Sequence, residues 1–138
     1  MRITVLDRSN YYRGLLLLAR KDRKITEVEF SLMMRIGTTL GFDKEFCENA
    51  IHEVLENEHI DTTPPVFSTP EVARKFIKDG LAVATAGADL HPAEEEWLHA
   101  TAKANNIDDA WFASQKNEAP AHSTVPHALE VDHLSVEY

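Results

Sequence analysis

Four carboxylates and a histidine fall within eight residues at Asp89-Leu90-His91-Pro92-Ala93-Glu94-Glu95-Glu96, with no basic side chain among them. Oxygen-rich clusters of this kind are the ligand sets that calcium and similar hard cations prefer. Here an aspartate is followed seven residues on by a glutamate, just ahead of a large apolar residue. The same pattern stands 67 positions earlier, with Asp22 against Asp89, Glu29 against Glu96 and Phe30 against Trp97. The interval equals that between positions 5 and 12 of an EF-hand loop. Positions 1 and 3 of such a loop would be Leu18 and Arg20 in the first copy, and Thr85 and Gly87 in the second. The glycine that should follow the aspartate is Arg23 or Leu90, so neither copy is an EF-hand. Arg20, Lys21, Arg23 and Lys24 surround the first copy and would repel a cation. The second copy is therefore the better metal candidate.

The same residues also have a purely structural use. Thr26 and Glu29 have the spacing of a capping box, and Glu94, Glu95 and Glu96 stand in a first helical turn, where the helix dipole favours negative charge. Two Glu-x-x-His pairs, Glu56…His59 and Glu96…His99, resemble half of a ferritin-like di-metal site. The other half requires glutamates on two further helices, and the first helix has none. His52-Glu53-Val54-Leu55-Glu56 lacks the second histidine of a zincin. Cys47 sits at helical spacing among apolar residues, and no nucleophile elbow, phosphate-binding glycine loop or Cys/His zinc pattern occurs. His122, His127 and His133 are spread through a segment broken by prolines, which is a poor arrangement for ligands.

Helices must position these groups. After a short β-branched arm, Met1 to Leu6, Ser9 is placed to cap a first helix carrying Tyr11, Tyr12, Leu15, Leu18 and Ala19. Thr26 starts a second, with Phe30, Met33, Met34, Gly37 and Leu40 on its buried face, and Gly41 ends it. Asp43 caps a third, striped by Phe46, Ala50, Ile51, Val54 and Leu55 to about Asn57; Glu45, Glu48, His52, Glu56 and His59 form its solvated side. Residues 58–69 have no helical period and contain Pro64-Pro65. Ser68 and Glu71 bracket a fourth helix lined by Val72, Phe76, Ile77, Leu81 and Ala84, ending near Gly87. Pro92 opens a fifth with Trp97, Ala100, Thr101 and Ala104 inward, and Asp108 caps a short sixth with Trp111 and Phe112. From Gln115 the chain is polar and broken by Pro120 and Pro126, either disordered or a loosely docked arm, and Leu129 to Val136 has the character to pair with the N-terminal strand. The expected fold is all-α: a compact bundle of six to seven helices in two pseudo-repeated halves, 9–57 and 70–115, with linker 58–69, arm 1–8, tail 116–138 and a short β arm from the termini.

A chain of 138 residues makes one domain with a single core. Its net charge of −9 is uneven: eight Lys/Arg stand against four acids over residues 1–40, and six against nineteen over 41–138. Phosphate backbones repel such a chain, so nucleic acid is excluded as a general partner. The basic run 20–24 fits either an acidic partner or anionic membrane, or a solvated loop after a helix C-terminus. No apolar run approaches the roughly 20 residues of a membrane span, Asp7 and Arg8 interrupt the only candidate signal sequence, and a lone cysteine forms no internal disulfide. A cytoplasmic monomer is expected.

The pattern Asp-x-x-Ile-Thr-x-x-Glu between apolar helices, followed by Leu40-Gly41-Phe42-Asp43 and repeated in degenerate form at Ala88 to Glu96, resembles the TerB-like family associated with tellurite resistance. The resemblance spans about residues 9–113. It implies a compact helical bundle, a divalent metal ion held by Asp89 and Glu96 and by Asp22 and Glu29, and a role in metal-stress responses or membrane-associated complexes without a defined reaction. The family's glycine after the aspartate is missing in both copies. The leading expectation is thus a non-enzymatic domain binding calcium or a similar ion through Asp89, Glu94, Glu95 and Glu96. The alternatives are a protein-interaction module whose acidic helices dock a basic partner and whose motifs only cap helices, and a ferritin-like di-metal enzyme.

Overall fold

A computed structural model describes residues 1–22, 25–86, 89–118 and 129–137. Strand β1 (Arg2–Thr4) leads into α1 (Val5–Ala19), followed by α2 (Glu27–Thr39), α3 (Lys44–Glu56), α4 (Pro70–Ala84), α5 (Pro92–Ala104) and α6 (Asp109–Glu118), and β2 (Ser135–Glu137) closes the chain. The all-α bundle with a small β arm is as expected. β2 lies parallel to β1, with Arg2 opposite Ser135 and Ile3 opposite Val136. The expected arm residues Pro120 and Pro126, with His122 and His127, lie outside the described residues, as do Arg23, Lys24, Gly87 and Ala88.

The halves repeat at an offset of 65, not 67. α1 and α4 are both 15 residues long and α2 and α5 both 13, each pair starting 65 positions apart. Thr4 and Thr69 cap α1 and α4, Thr26 and His91 cap α2 and α5, and Asp43 and Asp108 precede α3 and α6. Gly41 (φ 95°) and Asn106 (φ 58°) take the left-handed turn after α2 and α5, a conformation that glycine and asparagine tolerate best. The following amides of Phe42 and Ile107 then bond back to the carbonyls of Gly37 and Ala102, both at 2.9 Å. The 67-residue offset aligned side-chain types; the caps and turns set the true one. Glu29 therefore corresponds to Glu94, and Asp22 has no aspartate counterpart.

α1 is buried nearly all round, with Tyr11, Tyr12 and every residue from Gly14 to Ala19 in the core. It crosses α4 and also touches α2, α3 and α5. The crossing is pseudo-symmetric. The ring of Phe76 packs where Gly14 has no side chain, and at the equivalent place the Tyr11 hydroxyl donates to Asp79 at 2.6 Å. A Cβ on Gly14 would lie 2.7 Å from the Phe76 ring, so the close approach of α1 and α4 requires glycine there.

Several expected faces are shifted. The first helix begins at Val5 on a Thr4 cap rather than at Ser9, and Thr69, not Ser68, caps α4. Phe46 is 49% exposed and Leu55 37%, while Cys47, Ile51 and Val54 form the buried stripe of α3. In α5, Trp97, Leu98, Thr101 and Ala102 face inward, and Ala100 and Ala104 face solvent. The irregular connection 57–69 is tied down by side chains that satisfy its backbone. Arg20 donates to the carbonyl of Asn57, Arg13 to Asp61, Trp97 to Thr62 and Asn105 to Pro65. Asn105 also accepts the Phe67 amide, and buried Asp7 accepts both the amide and the hydroxyl of Ser68.

Candidate functional site

The acidic stretch 89–96 divides between core and surface. Glu94 is only 2% exposed, and its Oε1 accepts the His91 amide at 3.1 Å, while His91 Nδ1 accepts the Ala93 amide at 3.0 Å. The glutamate that looked like a ligand closes a capping box. Glu29 does the same in the first half: 3% exposed, with Oε1 taking the Thr26 amide and hydroxyl while its own amide donates to Thr26. Asp89 and Glu96 are exposed. Glu95 pairs with Lys116 of α6 at 2.5 Å, and His99 approaches Asp109 at 2.9 Å while stacking on Phe112. Glu95, Glu96, His99, Asp109 and Lys116 line an open depression of about 460 Å³ between α5 and α6, in which Lys116 already supplies a cation.

Among the described residues no three His, Cys, Asp or Glu side chains converge as a metal-ligand set. Of this cluster, Glu94 turns into its own helix start and Glu95 reaches across to α6, while Asp89 and Glu96 are exposed residues. The side chain of Asp22 lies outside the described residues, so its pairing with Glu29 has no geometry. Glu56, His59 and Glu96 are exposed and His99 is half-buried on the outer side of α5, so neither Glu-x-x-His pair points into the core.

A sharp test separates cap from ligand. Glu94→Ala is expected to cost about 0.5–2 kcal/mol in urea unfolding, the loss of a cap. Glu96→Gln is expected to change stability by less than about 0.5 kcal/mol, as surface substitutions do. Equal costs would contradict the assignment of Glu94 as the capping partner.

An open apolar groove lies elsewhere. A groove of about 260 Å³ runs between α1 and α3, floored by Tyr12, Leu16, Ala50, Val54 and Ile60, with Phe42 and Phe46 stacked at 4.8 Å along one side. The Arg8 guanidinium stands 4.4 Å over the Phe42 ring, and Arg13 and Glu53 stand at the rim. Burial pushes the Tyr12 hydroxyl well above its ordinary pKa, helped by the neighbouring Cys47 thiol, so it stays a neutral donor to the Met33 carbonyl at 3.0 Å. Glu45, Glu48, Glu53 and Glu56 project from the same helix, three of them exposed and Glu48 half-buried.

Comparison with known proteins gives no relative. The chain matches no family model, no curated protein and no solved structure. The geometry therefore carries the functional argument. No described helix is long and apolar enough to cross a membrane.

Sequence reasoning missed this groove because it placed Phe46 in the core. Phe46 lies one residue before Cys47, at the margin of the stripe that holds Cys47, Ile51 and Val54, so helical spacing alone does not say whether its ring turns inward. The second omission is Asp79. It is 1% exposed on α4, accepts three hydrogen bonds and is raised to a pKa of about 6, chiefly by burial. In sequence it is one acid after Lys78 on a helix with no repeat or motif around it.

Proposed function

We propose that this chain is a TerB-like, non-enzymatic interaction module of the cytoplasm, and that the α1–α3 groove docks a basic amphipathic segment of a partner protein. One observation carries the proposal: the apolar floor of the groove has Glu53 at its rim, on a helix that also carries Glu45, Glu48 and Glu56 on its outer face, and Phe46 stands half exposed at its edge. An exposed aromatic beside an apolar trough is the usual anchor of a helix-in-groove contact. The carboxylates select lysine or arginine on the opposite face of the incoming segment and accelerate its encounter. What supports docking over cation binding is that Glu29 and Glu94 are engaged in helix caps, and Glu95 in an ion pair. A setting in metal or stress response rests on the family resemblance alone.

Amide-resolved titration with a Leu/Lys amphipathic helical peptide tests this reading. The expected result is saturable shifts confined to residues 9–16 and 42–54, with Phe46→Asp weakening binding by about tenfold or more, the scale of one lost aromatic anchor. Replacing Glu45, Glu48 and Glu53 by glutamine should flatten the salt dependence. Shifts spread evenly over the acidic surface, or unchanged binding by the Phe46 variant, would overturn it.

A further inference from the structure

The segment that begins at Leu129 is held to the helical body as a ligand is held. Asp79 Oδ1 accepts the Glu130 amide at 2.7 Å, and Oδ2 accepts the Val131 amide at 2.9 Å. On either side, side chains are read in alternation. Leu129 and Val131 are buried in apolar surroundings, at 4% and 0% exposure. Glu130 reaches Lys75 at 3.4 Å and Lys78 at 3.5 Å, and Asp132 reaches Arg35 at 2.9 Å. Beyond this turn, β2 adds to β1 as a parallel strand. The anchoring residues Glu130–His133 form a 3-10 turn and Ser135–Glu137 the added strand, so main-chain bonds and side-chain pockets combine as they do where a peptide augments a sheet edge.

Asp79 is what separates this from ordinary core packing. Its pseudo-symmetric counterpart is Gly14, so crossing α1 with α4 needs no carboxylate at that level. A buried carboxylate is costly unless donors meet it, and of the hydroxyl and two amides that donate to Asp79, both amides belong to the C-terminal segment. With the segment lifted away, Asp79 would face water beside Tyr11, flanked by Lys75 and Lys78, and the body would present a preformed acceptor. We propose that this surface of α4, with Arg35 of α2 and the edge of β1, is a docking site for peptides of the pattern Leu-acid-Val-acid, and that residues 129–137 are its resident and displaceable occupant. The site is separate from the α1–α3 groove, and its test is independent of that reading.

The test uses the full chain and, as probe, a labelled synthetic peptide with the sequence of residues 129–137. Glu130→Lys places a cation against Lys75 and Lys78 on a half-exposed position, so it loosens the resident segment without touching the core. The expected result is that this variant keeps its helical content, loses exchange protection at the Val131 amide, and binds the free peptide about tenfold or more tightly than the unaltered chain, because the tethered competitor is gone. Adding Lys75→Glu with Lys78→Glu should restore protection at Val131 and abolish binding of the free peptide. The proposal is overturned if the Glu130→Lys chain unfolds, which makes the segment an integral part of the core. It is equally overturned if that chain stays folded and binds the peptide no better than the unaltered one.

Discussion

Phe76→Ala is expected to destabilise the fold by about 3–5 kcal/mol, as large as any single side-chain truncation in this chain. The ring is fully buried and meets Tyr11 at 5.4 Å, Phe67 at 5.1 Å and Trp97 at 6.1 Å between centroids. It therefore joins α1, the 57–69 connection and α5 at the crossing of the two halves. Against a typical domain stability of about 5–15 kcal/mol, that loss would leave a barely folded protein. Denaturant unfolding should show a lower midpoint with little change in slope. A loss under about 1 kcal/mol would mean that the crossing does not organise the core. The reciprocal change, Gly14→Ala, presses a methyl onto the same ring and should cost about 1–3 kcal/mol by overpacking.

Asp79→Ala is expected to be nearly as damaging for a different reason. It leaves the Tyr11 hydroxyl and the amides of Glu130 and Val131 without their acceptor, at about 1–3 kcal/mol for each donor that stays buried. Asp79→Asn keeps the shape and an acceptor oxygen, and it isolates the charge. The folded-state pKa of Asp79 is raised to about 6 by burial, against 3.8 for the free group. Tyr11 faces it from α1, its own pKa raised by the same burial and by Asp79, and Glu130 faces it from the C-terminal segment with Lys75 and Lys78 as partners. A raised carboxyl pKa favours the neutral form in the folded state. Its contribution to stability is therefore fully present below about pH 4 and is lost as pH rises through about 6. Relative to Asp79→Asn, the unaltered protein should gain up to about 3 kcal/mol between pH 7 and pH 4. A difference that does not change with pH, or that changes in the opposite sense, would contradict the assignment.

Much of the architecture was legible in the chain because local signals agree with one another. Thr26 with Glu29, Gly41 with Asp43, Pro92, and Asp108 each mark a helix boundary that the structure keeps. The alternating segment at the C-terminus was readable as a partner for the N-terminal strand. The misplaced start of α1 has a plain cause: Ser9 is a good cap residue, but Thr4 caps first and Asp7 is drawn inward by Ser68. The acidic cluster was read from spacing alone. Spacing counted Asp89…Glu96 against Asp22…Glu29 because like residues aligned at 67, whereas backbone turns repeat at 65 and pair Glu94 with Glu29. A carboxylate's direction is set by the cap it closes, and sequence adjacency carries no information about that. Asp79 was invisible for the opposite reason: the partners that give it meaning lie 68 residues before it and 51 and 52 after it.

The acidic helix starts either serve the fold or hold an ion. An amide-resolved titration with Ca²⁺, Mg²⁺, Mn²⁺ and Zn²⁺ asks this directly, read at residues 25–30 and 89–99. If Glu29 and Glu94 are caps, the amides of Thr26, Glu29, His91 and Ala93 keep their positions, and any shifts are weak, non-saturating and confined to exposed acids. A saturable, stoichiometric shift centred on His91 to Glu96, abolished by Glu94→Gln or Glu96→Gln, would show that the cluster binds a cation and would contradict the account.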